Sequence, residues 1–272
     1  MAATNTVMIN KTFLPYKTDA GTGPRARIGA IVLATDHTIE EEWRAMLHLD
    51  GVAFYVARMW NDAQVTPDTL RAMGDDIGGA TRLILPNDQR LEAVAFACTS
   101  GAMVLGEEAV AAKVHAMRPG VPVTSPMMAG LAGIRALGAR RIALLTPYID
   151  SINQMMRTYI EAQGFEVSVI GSFNTPDDLI ATSITAETVL EVATDLGRHS
   201  SVDATFISCT SLRAASIIER LEAATGKPAL SSNHALAWHA LRLAGYMDPI
   251  TGWGRLFRLP WDEAATMPRK VS

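Results

Sequence analysis

The chain has 272 residues, of which 49% are hydrophobic and 19% are charged, enough apolar material for one large domain or two smaller ones. A formal net charge of −4 provides no basic surface for nucleic acid or an anionic membrane. No apolar run approaches the roughly 18 residues of a membrane span, and the first 24 residues are polar without a secretory core. We therefore expect a cytoplasmic protein with neither nucleic acid nor a membrane as partner.

Apolar segments rich in β-branched residues alternate with helix-like segments in the first half of the chain. The sequence predicts strands at residues 28–33, 52–57, 92–97 and 121–124. Thr38 and Thr66 are the predicted N-caps of the helices after the first two strands, and Pro67 suits a first helical position. Near-continuous apolar strands separated by helices are typical of a parallel sheet covered on both faces.

The same pattern restarts in the second half of the chain. Strands are predicted there at residues 141–146, 165–170, 204–208 and 228–231. The predicted fold class is therefore α/β: two similar parallel-sheet halves related by a pseudo-two-fold axis, with the active site in the cleft between them.

The repeat also suggests a division of the chain into domains. We assign residues 25–132 and 235–246 to the first half, residues 133–234 to the second, and residues 1–24 and 247–272 to terminal extensions. The C-terminal extension carries Trp253, Phe257 and Trp261, which favour docking on a neighbouring surface, for example that of another subunit, over disorder. We accordingly expect a homo-oligomer.

The two cysteines stand in the same tripeptide, Cys-Thr-Ser, at residues 98–100 and 209–211. Each tripeptide follows a predicted strand and precedes a helix-like segment, so both thiols are expected at carboxyl ends of strands, where α/β sheets bind ligands. Free thiols are expected rather than a disulfide in a reducing compartment. Two thiols across one cleft suit a reaction in which one removes a proton and the other supplies one. A buried, inert cysteine is the alternative for either position.

Other polar residues stand at the same predicted strand ends. The hydroxyls of Thr99, Ser100, Thr210 and Ser211 are candidate donors to a substrate carboxylate, although helix capping would also explain them. Asp36 and Thr38 follow the first strand and are further candidates. We find no spacing typical of metal ligands and no phosphate-binding glycine loop, so we expect neither a metal nor a cofactor.

The paired Cys-Thr-Ser tripeptides, the segment Leu145-Thr146-Pro147-Tyr148 and the duplicated halves resemble the aspartate/glutamate racemase superfamily, in the branch of maleate cis–trans isomerase and arylmalonate decarboxylase. Within that branch, segments 31–38 and 209–213 are most similar to the ectoine-utilisation protein A subgroup. The resemblance implies a cofactor-independent isomerase acting on a small carboxylate or amino acid, in ectoine degradation. It also implies that Cys98 and Cys209 are catalytic and that Thr99, Ser100 and Tyr148 hold a substrate carboxylate.

The chain departs from the pattern of the maleate isomerases at two positions. Those enzymes have asparagine where this chain has Asp36, and asparagine again at the position that aligns with Asp178. An aspartate would repel the carboxylates of maleate and suit a substrate with an ammonium group. The alternative for Asp36 is a turn or capping residue.

Two mechanisms and two further functions stay open at this point. The thiols could exchange an α-proton in a racemisation, or one thiolate could add to a double bond and leave after rotation in a cis–trans isomerisation. An arylmalonate-type decarboxylase is a third possibility, but the resemblance implies that such enzymes keep only the second cysteine. A non-catalytic small-molecule binding protein could use the same cleft but would not need matched thiols.

Overall fold

The computed structural model describes residues 8–86 and 89–261 of the chain, whose strands form two four-stranded sheets. The first sheet contains β1 (Ala26–Leu33), β2 (Val52–Met59), β3 (Ala93–Ala97) and β4 (Val123–Thr124). The second contains β5 (Arg141–Thr146), β6 (Glu166–Ser172), β7 (Ala204–Ile207) and β8 (Ala229–Ser231). The orders are β2-β1-β3-β4 and β6-β5-β7-β8, and all pairs within the sheets are parallel. The shared order confirms the predicted duplicated α/β fold.

Helices connect successive strands and cover the sheets. They are α1 (Ile39–Met46), α2 (Pro67–Ala72), α3 (Ile77–Ile84), α4 (Thr99–Leu105), α5 (Glu107–His115), α6 (Pro126–Ala136), α7 (Asp150–Ala162), α8 (Asp178–Ser183), α9 (Ala186–Arg198), α10 (Ile218–Thr225) and α11 (Ser232–Leu243). Short 3₁₀ helices span Met73–Asp76, Ala215–Ile217 and Leu256–Arg258. The central strands β3 and β7 are buried along their whole length, as expected for a sheet covered on both faces. None of the helices in the described ranges is long and apolar enough to cross a membrane.

The two predicted helix caps behave differently. Thr66 caps α2 in a reciprocal capping box with Thr69, and Pro67 takes the first helical position as predicted. Thr38 occupies the N-cap position of α1, but its side chain makes no capping hydrogen bond because its backbone is already helical. The backbone N–H groups of Thr38 and Ile39 donate instead to Oδ1 of Asp36, at 2.7 and 2.9 Å. Asp36 therefore caps α1.

Two helices connect the halves of the molecule. Helix α6 runs unbroken through the predicted division at residues 132–133, and it contacts α4 of the first half and β8 of the second. Helix α11 follows β8 and packs against β3, β1 and α1 of the first half. The division of the chain into domains stays a prediction, and these two helices tie the sheets into one body.

The aromatic residues of the C-terminal extension pack on α11 of the same chain. The ring of Phe257 is fully buried and lies 4.8 Å from that of His234, between centroids. Trp261 contacts His239 edge-on at 4.9 Å, and Nε1 of Trp238 donates to the carbonyl of Leu259 at 3.0 Å. Phe257 therefore docks on its own chain, where it covers α11. A homo-oligomer stays a prediction.

Candidate active site

The two thiols lie at equivalent points of the two halves. Cys98 follows β3 and occupies the N-cap position of α4, where its Sγ accepts the N–H of Gly101 at 3.2 Å. Cys209 follows β7, which takes the same place in the second sheet. Both cysteines are free and buried, and both line one cavity between the halves. The carboxyl edges of the two sheets therefore meet around the thiols, as expected for α/β ligand sites.

The cavity has a volume of about 20 Å³, which corresponds to about one water molecule. Its walls come from both halves: Leu33, Asn61, Asp62, Gln64, Val65, Thr69, Leu70, Met73, Cys98, Thr99 and Ser100 from the first, and Tyr148, Asp178, Cys209 and Thr210 from the second. A molecule of four or five carbons needs more room than this. The walls must separate before such a molecule enters.

Most of the predicted site residues line the cavity: Cys98, Thr99, Ser100, Tyr148, Asp178, Cys209 and Thr210. The others lie behind this wall. Asp36 caps α1, and Thr38 Oγ1 donates to the carbonyl of Ser211 at 2.8 Å. The hydroxyl of Ser211 donates to Oδ1 of Asp178 at 2.7 Å. Asp36, Thr38 and Ser211 thus support neighbouring residues.

Sequence reasoning missed the wall between Asn61 and Met73. Asn61 and Asp62 follow β2, so the rule for strand ends could have found them. Leu70 and Met73 belong to α2 and the 3₁₀ turn after it, and no local sequence pattern indicates that these apolar side chains face the thiols. They contribute apolar side chains to the wall of the cavity.

Asp178 joins the two halves at the cavity. It is the first residue of α8 and is buried. Its Oδ1 accepts the hydroxyl of Ser211 from the second half, and its Oδ2 accepts the hydroxyl of Thr35 from the first half at 2.5 Å. One carboxylate therefore holds hydroxyls from both sides of the cleft while it lines the cavity.

Two backbone segments close the cavity beside Asp178. We call residues 63–65 and 176–178 the clasp. The N–H of Val65 donates to the carbonyl of Pro176 at 2.9 Å, and the N–H of Asp178 donates to the carbonyl of Ala63 at 3.0 Å. Gln64 and Asp177 form an antiparallel bridge between these bonds. Because the clasp crosses from one half to the other, it is a natural place for the cavity to open.

The electrostatics of the cavity keep both thiols protonated. Burial raises the pKa of Cys98 to about 12, although the N–H of Gly101 works in the opposite direction. Burial also raises the pKa of Cys209, and the charge of Asp178 adds to that increase. The hydroxyl of Tyr148 lowers the pKa of Cys209 through a hydrogen bond, but less than burial raises it. A thiolate at this site therefore needs a positive charge from elsewhere.

No lysine, arginine or histidine of the described ranges lines the cavity. The side-chain donors on its walls are neutral and include the hydroxyls of Thr99, Ser100, Thr210 and Tyr148. Burial holds the pKa of Tyr148 well above its usual value, so this hydroxyl stays protonated. In the part of the chain that the structure covers, no group of three histidine, cysteine or acidic side chains is arranged to hold a metal ion.

Two equivalent parallel sheets that bring a pair of thiols to one cavity define a member of the aspartate/glutamate racemase-like superfamily. The family model for arylmalonate decarboxylase matches residues 45–257. The chain therefore belongs to the arylmalonate decarboxylase family, which confirms the superfamily suggested by the Cys-Thr-Ser motifs.

Individual relatives include both activities of this branch. A maleate isomerase of Nocardia farcinica is 32% identical over 244 residues, which cover 85% of this chain and 95% of the relative. An arylmalonate decarboxylase of Bordetella bronchiseptica is 32% identical over 197 residues, or 71% of this chain and 81% of the relative. These relatives support an isomerase. They do not show membership of the ectoine-utilisation subgroup, which stays a prediction.

A solved structure extends the comparison to the fold. A cysteine-to-serine variant of the Nocardia farcinica maleate cis–trans isomerase, with a covalently bound succinylcysteine intermediate, has a TM-score of 0.78 and 31% identity to this chain. The match covers 86% of this chain and 98% of that one. The two-sheet fold found here is therefore the fold of that isomerase.

Proposed function

We propose that this protein is a cofactor-independent isomerase that uses two cysteines to invert the α-carbon of a small amino acid. The observation that carries the proposal is the composition of the cavity. Equivalent thiols from the two halves line it together with Asp178, and no cationic side chain of the described residues does. A ligand that brings its own positive charge matches this site.

Charge distinguishes the candidate substrates. An ammonium group beside Asp178 would compensate the buried carboxylate, whereas a dianion such as maleate would add negative charge to it. The single carboxylate of an amino acid can be held by neutral donors, and the hydroxyls of Thr99, Ser100 and Thr210 line the cavity. This distribution supports a zwitterionic substrate over a dicarboxylate.

The same charge prepares the thiols for chemistry. A bound ammonium group lowers the pKa of a nearby thiol because it favours the thiolate. In the competent form one cysteine is a thiolate and the other a thiol. The thiolate takes the α-proton, and the opposite thiol gives its proton to the other face of the same carbon. The thiolate and thiol have then exchanged places, and no proton is gained or lost overall.

The hydroxyls that hold the carboxylate also act in the transition state. Removal of the α-proton moves charge onto the carboxylate oxygens, so hydrogen bonds to them strengthen as the reaction proceeds. Thr99 and Ser100 stand next to Cys98, and Thr210 stands next to Cys209. Each half thus supplies a thiol together with hydroxyl donors.

Cis–trans isomerisation of a small unsaturated acid is the second candidate, and the maleate isomerases among the relatives favour it. In that reaction one thiolate adds to the double bond, the carbon–carbon bond rotates, and the thiolate leaves. A saturated amino acid has no double bond and can only be racemised. An unsaturated acid such as maleate has an sp² α-carbon with no stereocentre to invert and can only change geometry, so the substrate separates the two.

The test is an activity screen of the purified full chain. Small L-amino acids are supplied in D₂O, with a diaminobutyrate first because of the ectoine resemblance, and the D-enantiomer and α-deuterium are followed by chiral chromatography and NMR. Maleate is assayed in parallel. We expect inversion with α-deuterium incorporation for at least one amino acid. Turnover of maleate without exchange in any amino acid would establish the second candidate instead.

A further inference from the structure

The two thiols are equivalent in sequence but are held differently. Cys98 is followed directly by α4, which supplies the N–H that bonds its sulfur. The sulfur of Cys209 accepts the backbone N–H of Ser211, at 3.4 Å, from a turn, and no helix follows until the 3₁₀ helix Ala215–Ile217 begins. Segment 209–215 therefore depends on further groups outside itself for its position.

Glu42 of α1 supplies part of this support from the other half of the molecule. Its Oε1 accepts the backbone N–H groups of Ala214 and Ala215, at 2.8 and 2.7 Å. Its Oε2 accepts Nδ2 of Asn233 at 2.8 Å. The carboxylate thus holds the far end of segment 209–215 and the first turn of α11.

Asn233 completes the connection. Its Nδ2 also donates to the carbonyl of Thr210, at 2.7 Å, so both amide protons are used. The preceding residue, Ser232, accepts the N–H of Cys209 at 3.0 Å through its hydroxyl. Both ends of segment 209–215 are therefore attached to the pair formed by Glu42 and Asn233.

We propose that Glu42 and Asn233 are positioning residues that fix Cys209 against its substrate, an inference that rests on the proposed two-thiol function. The carboxyl group of Glu42 has acceptors on both oxygens, which the two backbone N–H groups and Asn233 use together. A glutamine at position 42 would turn an N–H₂ toward the N–H₂ of Asn233 or toward the backbone donors. The pair would break, and the carbonyl of Thr210 would lose its fixed donor.

Geometry at this scale affects catalysis more than binding. A displacement of about 1 Å in a reacting group can cost about a hundredfold in rate. In the proposed complex the ammonium contacts Asp178 and the carboxylate contacts Thr99 and Ser100, which all lie outside segment 209–215. Only the contact from Thr210 lies within it, so KM should change less than kcat. Loosening segment 209–215 should also expose the sulfur of Cys209 while leaving Cys98, which is held by α4, unchanged.

The test compares Glu42→Gln and Asn233→Ala with the wild-type full chain. The readouts are kcat, KM and the separate iodoacetamide labelling rates of Cys98 and Cys209, resolved by peptide mass spectrometry. Glu41→Gln is the matched control, since this neighbouring carboxylate is exposed and pairs only with Arg44 in the described structure. Circular dichroism and thermal unfolding report on the fold.

We expect kcat to fall about tenfold to a hundredfold in both variants, KM to stay within about threefold, and labelling of Cys209 to rise several-fold while that of Cys98 does not. The proposal is overturned if both cysteines respond equally, if neither responds, or if both variants lose their fold. Because labelling needs no substrate, a selective effect on Cys209 in a chain without isomerase activity would reject the proposed function and keep the positioning role.

Discussion

At the scale of single residues, each thiol serves one face of the substrate in the proposed reaction. We predict that Cys98→Ala and Cys209→Ala each lower turnover by at least about 10²–10⁴-fold, the usual contribution of a positioned acid or base. Chiral chromatography measures the loss, and circular dichroism checks that the fold is intact. Near-normal racemisation by either variant would exclude a mechanism that needs both thiols.

The charge of Asp178 provides a second prediction at this scale. Asp178→Asn keeps the shape of the side chain but removes a charge that raises the pKa of Cys209. We expect turnover of amino acids to fall about tenfold or more, KM for maleate to decrease, and iodoacetamide labelling of Cys209 to speed up at fixed pH.

Asp36→Asn is the matched control for that experiment. By the resemblance, Asp36 also stands where the maleate isomerases have asparagine, but it caps α1 and does not line the cavity. Beyond the effect of burial, its charge raises the pKa of both thiols by less than the charge of Asp178 does. Asparagine caps helices about as well as aspartate, so we expect both substrate classes to stay within about threefold of wild type. If Asp36→Asn gained maleate turnover and Asp178→Asn did not, the residue that selects the charge of the substrate would be Asp36 and not Asp178.

At the scale of structural elements, the clasp decides access to the thiols. A cavity of about 20 Å³ cannot accept an amino acid as it stands, so segments 63–65 and 176–178 must part. We predict that the backbone amides of Val65 and Asp178 exchange with deuterium much faster than those of β3, whose strand is central and buried. Peptide-resolved hydrogen exchange measures both.

A bound ligand should slow exchange in the clasp and leave the central strands unchanged. The probe is the amino acid that proves active in the screen, added at saturating concentration. Clasp amides that exchange as slowly as those of β3, with or without this ligand, would show that the cavity opens elsewhere, for example through the wall formed by α2.

At the scale of the whole molecule, buried histidines and buried acids have opposite effects on how the stability of the fold depends on pH. Burial lowers the pKa of His234 and His239 to about 4. Between about pH 6.5 and 4 these histidines are therefore protonated in the unfolded chain but neutral in the folded chain. These histidines therefore reduce stability as the pH falls through that window. Burial raises the pKa of Asp36 to about 6 and that of Glu42 to about 7, so these acids reduce stability as the pH rises toward 7.

We predict that His239→Gln shifts this balance. The variant loses one group that destabilises the folded chain in acid, so its free energy of unfolding should improve relative to wild type as the pH falls from 6.5 to 4.5. Urea unfolding at several pH values measures the difference. The overall stability of the variant can differ from that of wild type in either direction. If the difference between their free energies of unfolding did not change with pH, His239 would not be buried in its neutral form.

The sequence by itself determined the two-sheet fold and the meeting of the two thiols. Strand periodicity is local, and the repeated Cys-Thr-Ser tripeptide follows equivalent strands, β3 and β7, so the carboxyl-end rule brings both cysteines to one edge. The resemblance assigned a role to Tyr148 in the segment after β5, and the structure brings this tyrosine to the same cavity.

Only the tertiary structure decided which polar residues face that cavity. The resemblance places asparagine at the positions of both Asp36 and Asp178, yet in this chain one residue caps a helix and the other lines the site. The apolar wall at Leu70 and Met73, the clasp, and the link from Glu42 to segment 209–215 all join residues that are distant in sequence. Such contacts depend on how the two halves pack together. The periodicity of a strand or helix indicates which of its faces is buried but does not indicate which partner covers that face.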